Sequence, residues 1–433
     1  MAGRLVTALG ASALAAEAFS DVATLRHMLR FEAALAHAAA AAGLIPRKYA
    51  PIIAKACDPA LYDPPQLAEA ARRSATLTVP LVKALTEEVA KRDVEAAAYV
   101  HWGATSQDVL DTAMVLQLGE ALPPLLKDLD GIVASFAALA KKHRATPMLG
   151  RTLLQPATPL ALGQKIAGWA SDIDRAARRL KASFAETQIV QFGGASGSLS
   201  ALGPKAEEVM TALAKQLGLG LPPAPWFTQR VRVAAFAQDA ALVVGACAKA
   251  ARDISLMMQA EVGEAAEPSG PGRGGSSTMP HKRNPVGAAL ILAAAHRAPM
   301  MAAVIVSAMP QEHERALGGW QAEWPTLAAL VEMLGSAVQA MTEVAPGLAI
   351  DADAMQANMD ATDGAVLAER ATFLLAEKMG KQKAGALVEA ALAKGGSFVE
   401  ALGQLEKELA DEAALLGYSP KFVDRLLADL RRK

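Results

Sequence analysis

Cysteine is nearly missing from these 433 residues. Cys57 and Cys247 stand far apart, with no CxxC spacing and no Cys/His companions. That pattern excludes a disulfide framework and a zinc ribbon, and it suits a reducing cytoplasm. Aromatics are scarce too, at 4% of a chain that is 52% hydrophobic, the remainder coming mostly from Ala, Leu and Val. Such a composition favours packed helices over sheets. Neither sign of charge is in excess: 43 Lys and Arg face 44 Asp and Glu, a formal net charge of −1. Bulk attraction to nucleic acid or to an anionic membrane is thereby removed. Uninterrupted apolar runs of the ~18 residues that a membrane span needs are also lacking, since His296 and Arg297 break the most apolar stretch, 284–310. Arg4 followed by the apolar Leu5–Ala16 resembles a weak signal peptide. The helix opening at Phe19-Ser20-Asp21 and the cysteine usage outweigh it. No GxxxxGK[ST] follows a strand, and no HExxH or Asp/Glu/His cluster argues for a metal, so no nucleotide, metal or other cofactor is expected.

What remains is helix after helix. Ser20 reads as an N-cap for a helix from Asp21 to about Ala42, closed by Gly43. Further helices are expected at about 66–74, 79–92 and 107–144, the last kinked at Pro123-Pro124. Thr158-Pro159 reads as the N-cap and first position of a helix reaching Glu186. A loop over 190–204 precedes helices at 205–217 and 230–263. After a glycine-rich break at Glu267–Asn284 come helices at 285–309 and 324–345, then short ones over 362–432. Alternating β-branched runs and βαβ order are absent. The fold class is all-α, in three segments: an N-terminal helical domain (1–111), a central long-helix bundle (112–350) and a small C-terminal helical domain (351–433). Apolar positions surround most of each central helix, which asks for burial on several sides and hence for an oligomer.

Four segments carry candidate chemistry. Gly270–Pro285 ends in Gly275-Ser276-Ser277-Thr278-Met279-Pro280-His281-Lys282-Arg283-Asn284-Pro285. It combines hydroxyls from Ser276 and Ser277, donors from Lys282 and Asn284, and a helix start at Pro285 whose positive end would face the same bound group. This is equipment for an anion whose charge grows during reaction. His101-Trp102-Gly103-Ala104-Thr105-Ser106 brings a histidine and two hydroxyls to another helix start, where free N–H groups can grip a carboxylate; plain capping by Ser106 is the commoner use of such residues. Gly150-Arg151-Thr152-Leu153-Leu154-Gln155 reads as a loop entering a helix. Its Arg151 can clamp a carboxylate or pair with a surface acid. Glu314-Arg315 to Trp324 places Trp320 and Trp324 where they either wall a pocket or pack in the core.

Together these segments resemble the fumarase/aspartase superfamily, whose signature GSSxMPxKxNP matches Gly275–Pro285. The blocks at 103–112 and 150–159 match in the right order, and Gly193-Gly194-Ala195-Ser196-Gly197-Ser198 is similar to the family's GGAxGT block. Within the superfamily the chain is most similar to the bacterial 3-carboxy-cis,cis-muconate cycloisomerases. Where amine-releasing lyases carry Thr-His it has Thr152-Leu153, and Pro285-Val286-Gly287-Ala288-Ala289 lacks the glutamate those lyases place there. The Glu314–Trp324 block also resembles that of the cycloisomerases. The resemblance implies lactonisation through an aci-carboxylate intermediate, with Ser276 carrying the proton and Lys282 and Asn284 stabilising charge. It implies substrate contacts from His101, Thr105, Ser106, Arg151, Gln155, Ser277, Met279, Arg315 and Trp320. It also implies a cytoplasmic homotetramer whose sites combine several subunits, acting on a small tricarboxylate without metal, nucleic acid or membrane. Two alternatives stand beside it: a β-eliminating lyase releasing fumarate, as in adenylosuccinate cleavage, with His101 or His313 as the acid, and a catalytically silent helical scaffold.

Overall fold

The computed structural model describes residues 5–8, 10–270, 272–275, 278–279, 282–409, 411 and 415–430. Its principal elements in chain order are α1 (Asp21–Ala41), α2 (Ser106–Lys142), β1 (Pro147–Thr152), β2 (Gln155–Ala161), α3 (Leu162–Thr187), α4 (Ala206–Leu217) and α5 (Val231–Met257), then β3 (Ala265–Ala266), α6 (Val286–Ser307), α7 (Gly319–Gly347), β4 (Ala349–Ile350), α8 (Ala368–Met379), α9 (Lys381–Ala393) and α10 (Ser419–Leu430). The fold is all-α, with two small antiparallel ribbons among the described residues, β1–β2 and β3–β4.

The chain divides into two compact units, each threaded by three stretches of sequence. The first comprises 1–127, 176–244 and 293–337; the second comprises 128–175, 245–292 and 338–433. In the first, Ser20 Oγ accepts from the Ala23 amide at 3.2 Å and opens α1. The buried face of α1 (Leu25, Met28, Leu29, Phe31, Leu35) joins Val109, Leu116, Val209, Leu213 and Trp320 in one apolar core, and α4 packs along it. In the second, α8 and α9 pair around a separate cluster built on Ala371, Leu375, Val388 and Phe398. Cys57 and Cys247 are free thiols.

Two expectations need correction. The first concerns residues 147–161, which form a hairpin rather than a loop entering a helix, with Thr152 opposite Gln155 and a bulge between Met148 and Gly150. Thr158 and Pro159 therefore lie in β2, and α3 opens only at Leu162. Gly150 is what permits this pairing: a Cβ there would stand 2.3 Å from the Thr158 carbonyl oxygen. The second concerns length and apolarity. α2, α5, α6 and α7 are each long and apolar enough to cross a bilayer by length and composition. His296 and Arg297 interrupt a run of letters without lowering the mean hydropathy of α6, 1.8, below what a span requires. The other three helices bury 61–67% of that window inside the chain, whereas α6 buries 28%.

Candidate active site

In the first unit, two of the singled-out segments meet through one buried carboxylate, and a third reaches them through Arg315. Asp108, in the first turn of α2, is fully buried. It accepts hydrogen bonds from the amides of Thr105 (2.9 Å), Gly193 (2.8 Å) and Gly194 (3.0 Å), and from Gln191 Nε2 (3.3 Å). Burial pushes its carboxyl up to about 7, and the four donors hold it from rising further. The 101–106 turn and the glycine-rich loop are thereby pinned together. Gly194 takes φ 68°, and a Cβ on it would lie 2.9 Å from the Gly103 carbonyl oxygen, so only glycine allows this approach. Arg315 reaches the same loop, donating to the Ala195 carbonyl at 3.1 Å while its guanidinium lies 5.1 Å from the Phe227 ring centroid. His101 Nδ1 lies 2.6 Å from Glu32 Oε1. The Ser106 carbonyl accepts from Thr78 Oγ1.

Behind this layer Arg230, with 1% exposure, binds two carboxylates. Its guanidinium donates to Asp111 at 2.7 and 3.2 Å, and to both oxygens of Glu323, at 3.0 Å on Oε1. Trp320 is buried, its indole N–H donating to Asp111 at 2.9 Å, and its ring meets Trp324 edge to face. Gln311 donates to Glu323 at 3.0 Å, which ties down the segment leading to Arg315. Burial raises the Glu323 carboxyl above its ordinary value, against the opposing pull of Arg230.

In the second unit Arg151 clamps a carboxylate in two-pronged fashion, and that carboxylate belongs to this chain. Glu264, with no exposed surface, accepts from Arg151 at 2.9 and 2.7 Å and from Asn358 Nδ2 at 2.9 Å. Gln155 lies exposed beside the hairpin tip. Asn284 is half-buried, its amide donating to the Gly274 carbonyl, and Lys282 is exposed, its amide donating to the Met279 carbonyl. Met279 is exposed. Ser276 and Ser277 lie outside the described residues. The start of α6 departs from expectation: the amides of Gly287 and Ala288 both donate to Glu267, at 2.8 and 2.7 Å. Those two N–H groups are therefore occupied by a buried carboxylate of this chain and are not free to face a bound anion.

A family model described as lyase matches residues 10–299. The chain belongs to the lyase family. A 3-carboxy-cis,cis-muconate cycloisomerase of Bradyrhizobium diazoefficiens is 49% identical over 443 residues, covering 99% of this chain and 98% of that one. The crystal structure of 3-carboxy-cis,cis-muconate lactonizing enzyme from Pseudomonas putida matches at TM-score 0.94 and 44% identity, covering 99% of each chain. Fumarate lyase from Mesorhizobium sp. BNC1 matches at TM-score 0.86 and 33% identity, over 96% of this chain and 98% of that one. The fold of this lyase-family chain is thus the fumarase/aspartase fold that its signature implied.

Reading the sequence assigned no role to Glu32, Asp111, Arg230, Glu264, Glu267 or Glu323, although Asp111 and Glu323 fall inside two of the segments it marked. A signal existed in each case, namely a charge set within a helical apolar pattern or beside a glycine-rich break. Their partners, however, lie as far as 209 residues away in sequence.

Proposed function

We propose that the chain converts 3-carboxy-cis,cis-muconate to 4-carboxymuconolactone as a cytoplasmic enzyme of protocatechuate breakdown, in the beta-ketoadipate pathway. The observation that carries this is the 49% identity, across 99% of the chain, to a protein of that activity. Chemically, one carboxylate oxygen of the substrate adds to its own conjugated double bond. A C–O bond forms, and the electron pair moves into a neighbouring carboxylate as the aci form. A proton then reaches the carbon beside it. Lys282 and Asn284 are the donors for that dianion, each fixed donor contributing about 3 kcal/mol by analogy with oxyanion holes. Ser276 delivers the proton, and no leaving group needs an acid, which agrees with Leu153 standing where lyases of the superfamily place histidine. His101, Thr105, Ser106, Arg151, Gln155, Ser277, Met279, Arg315 and Trp320 make up the surroundings, Trp320 and Arg151 acting through the buried acids they hold.

The working form in this reading is a homotetramer with shared sites. The small buried share of α6 supports it, as do Leu153 and Leu154, which are 97% and 76% exposed at the hairpin tip. Absorbance at the conjugated diene tests the activity: it should disappear when the protein meets 3-carboxymuconate, and adenylosuccinate should yield no fumarate. The opposite pair of results would hand the site to the β-eliminating reading.

A further inference from the structure

Glu32 lies on α1 among Met28, Leu29, Phe31 and Leu35, with 1% of its surface exposed. Packing gives a carboxylate no reason to be there, because a buried charge without a partner is strongly destabilising. Its Oε1 is 2.6 Å from His101 Nδ1, and Oε2 has no hydrogen-bond partner among the described residues. His101 is itself held at φ 59°, a left-handed conformation that costs a non-glycine residue on the order of 1 kcal/mol and persists where surroundings enforce it. With Nδ1 committed to Glu32, the other ring nitrogen lies on the opposite edge of a side chain that keeps 18% exposure. The pair therefore has one sealed end and one open end, in the segment already assigned to the substrate.

We propose that Glu32 is a positioning residue that fixes the His101 ring and keeps it an imidazolium, so that Nε2–H can bind a carboxylate of the substrate. This deepens the cycloisomerase reading and rests on it. The chemistry demands the charge. A neutral imidazole donating Nδ1–H to Glu32 would present a bare lone pair at Nε2, which repels a carboxylate. Only the imidazolium donates from both nitrogens. The titratable groups that face the pair are Asp108 from α2 and Cys57 from the end of the helix Ala50–Ala56. Burial lowers the proton affinity of His101, but the charge and hydrogen bond of Glu32, with Asp108 behind them, more than reverse this and hold it above the ordinary histidine value.

Glu32→Gln keeps the shape and removes the charge. In wild type, kcat/KM for 3-carboxymuconate should decline as pH rises through the raised value of His101. In the variant that decline should move at least about one pH unit lower, with about a tenfold loss near neutral pH, borne by KM and recovered on acidification. A second readout needs no substrate. Diethyl pyrocarbonate modifies only the neutral ring, so carbethoxylation of His101, mapped by peptide mass, should begin at lower pH in the variant. If Glu32→Gln does not assemble, Glu32→Asp carries the same test, its withdrawn charge moving both onsets part of the way. Lowered activity with both pH onsets unchanged would make Glu32 merely structural and overturn the proposal. Wild type that ignores 3-carboxymuconate would defeat the cycloisomerase reading instead, while carbethoxylation would still decide whether Glu32 governs the protonation of His101.

Discussion

Arg230 faces Asp111 and Glu323 in a pocket that solvent does not reach, so its removal strands two carboxylates at once. Arg230→Met should lower folding stability by about 3–5 kcal/mol, read from urea midpoints. The loss should depend on pH, with a sign that can be worked out. Glu323 already stands above its ordinary value through burial, with Arg230 opposing the rise; without Arg230 it rises further. The folded variant then binds a proton that the unfolded chain has released, so its stability falls as pH climbs from the unfolded value through the folded one. The deficit should therefore be larger at about pH 8 than at about pH 5, and an equal deficit at both would show that the triad matters for packing alone. The residues proposed as catalytic should behave differently. Ser276→Ala should reduce turnover by about two to four orders of magnitude with helical content unchanged; if most activity survives, the hydroxyl to test next is Ser277. Lys282→Met should raise KM and lower kcat together, because its charge meets the substrate in the ground state and the richer anion in the transition state. At this scale the sequence disclosed the exposed, motif-bearing residues and hid the buried acids. Local periodicity says that Glu32 falls on the apolar side of α1; it says nothing of a histidine 69 residues away.

Among elements, the long helices were legible because their signals are local. Ser20 caps α1 as its sequence says, and apolar periodicity placed α2, α5, α6 and α7 to within a few residues, apart from the early start of α7 at Gly319 and the short end of α5 at Met257. The β1–β2 hairpin was not legible. It contains Pro147, Gly150, Pro156 and Pro159, residues that argue against strands, and its two tip residues are leucines at φ 50° and 66°, where Asn-Gly would be the recognisable signal. Long-range support replaces propensity here: the Ala161 amide donates to Ser419 Oγ of α10, and the Arg151 clamp on Glu264 anchors the outer end of β1. Gly150→Ala would drive a methyl group into the Thr158 carbonyl. We expect it to lower the thermal midpoint and to weaken substrate affinity through misplacement of Arg151, while the far-UV helical signal stays near that of wild type. Unchanged affinity in a folded Gly150→Ala protein would separate the hairpin from the site.

For the whole molecule, the observations to be reconciled are an apolar helix the chain leaves largely uncovered, an exposed Leu153-Leu154 tip, and functional blocks scattered over more than 200 residues of sequence. Helices of some thirty residues extend ~45 Å, so an up-and-down run of such helices would set the residues at alternate ends that far apart. In the proposed tetramer, copies would lend one another their helix ends and would also cover α6. Hybrid assemblies test it. Arg151→Ala is a poor partner for the experiment because it would strand buried Glu264, so the pair of choice is His101→Asn with Lys282→Met, each assayed alone first and used where its own activity lies well below a quarter of wild type. Unfolded together in equal amounts and refolded, chains assort at random. If His101 and Lys282 in each site come from different chains, about a quarter of the sites contain both intact residues, and activity should return to about that fraction of wild type. Mass spectrometry of the intact assemblies verifies that hybrids formed. Proper hybrids as inactive as their parents would place the two residues in the same chain at every site, leaving oligomerisation to serve stability alone.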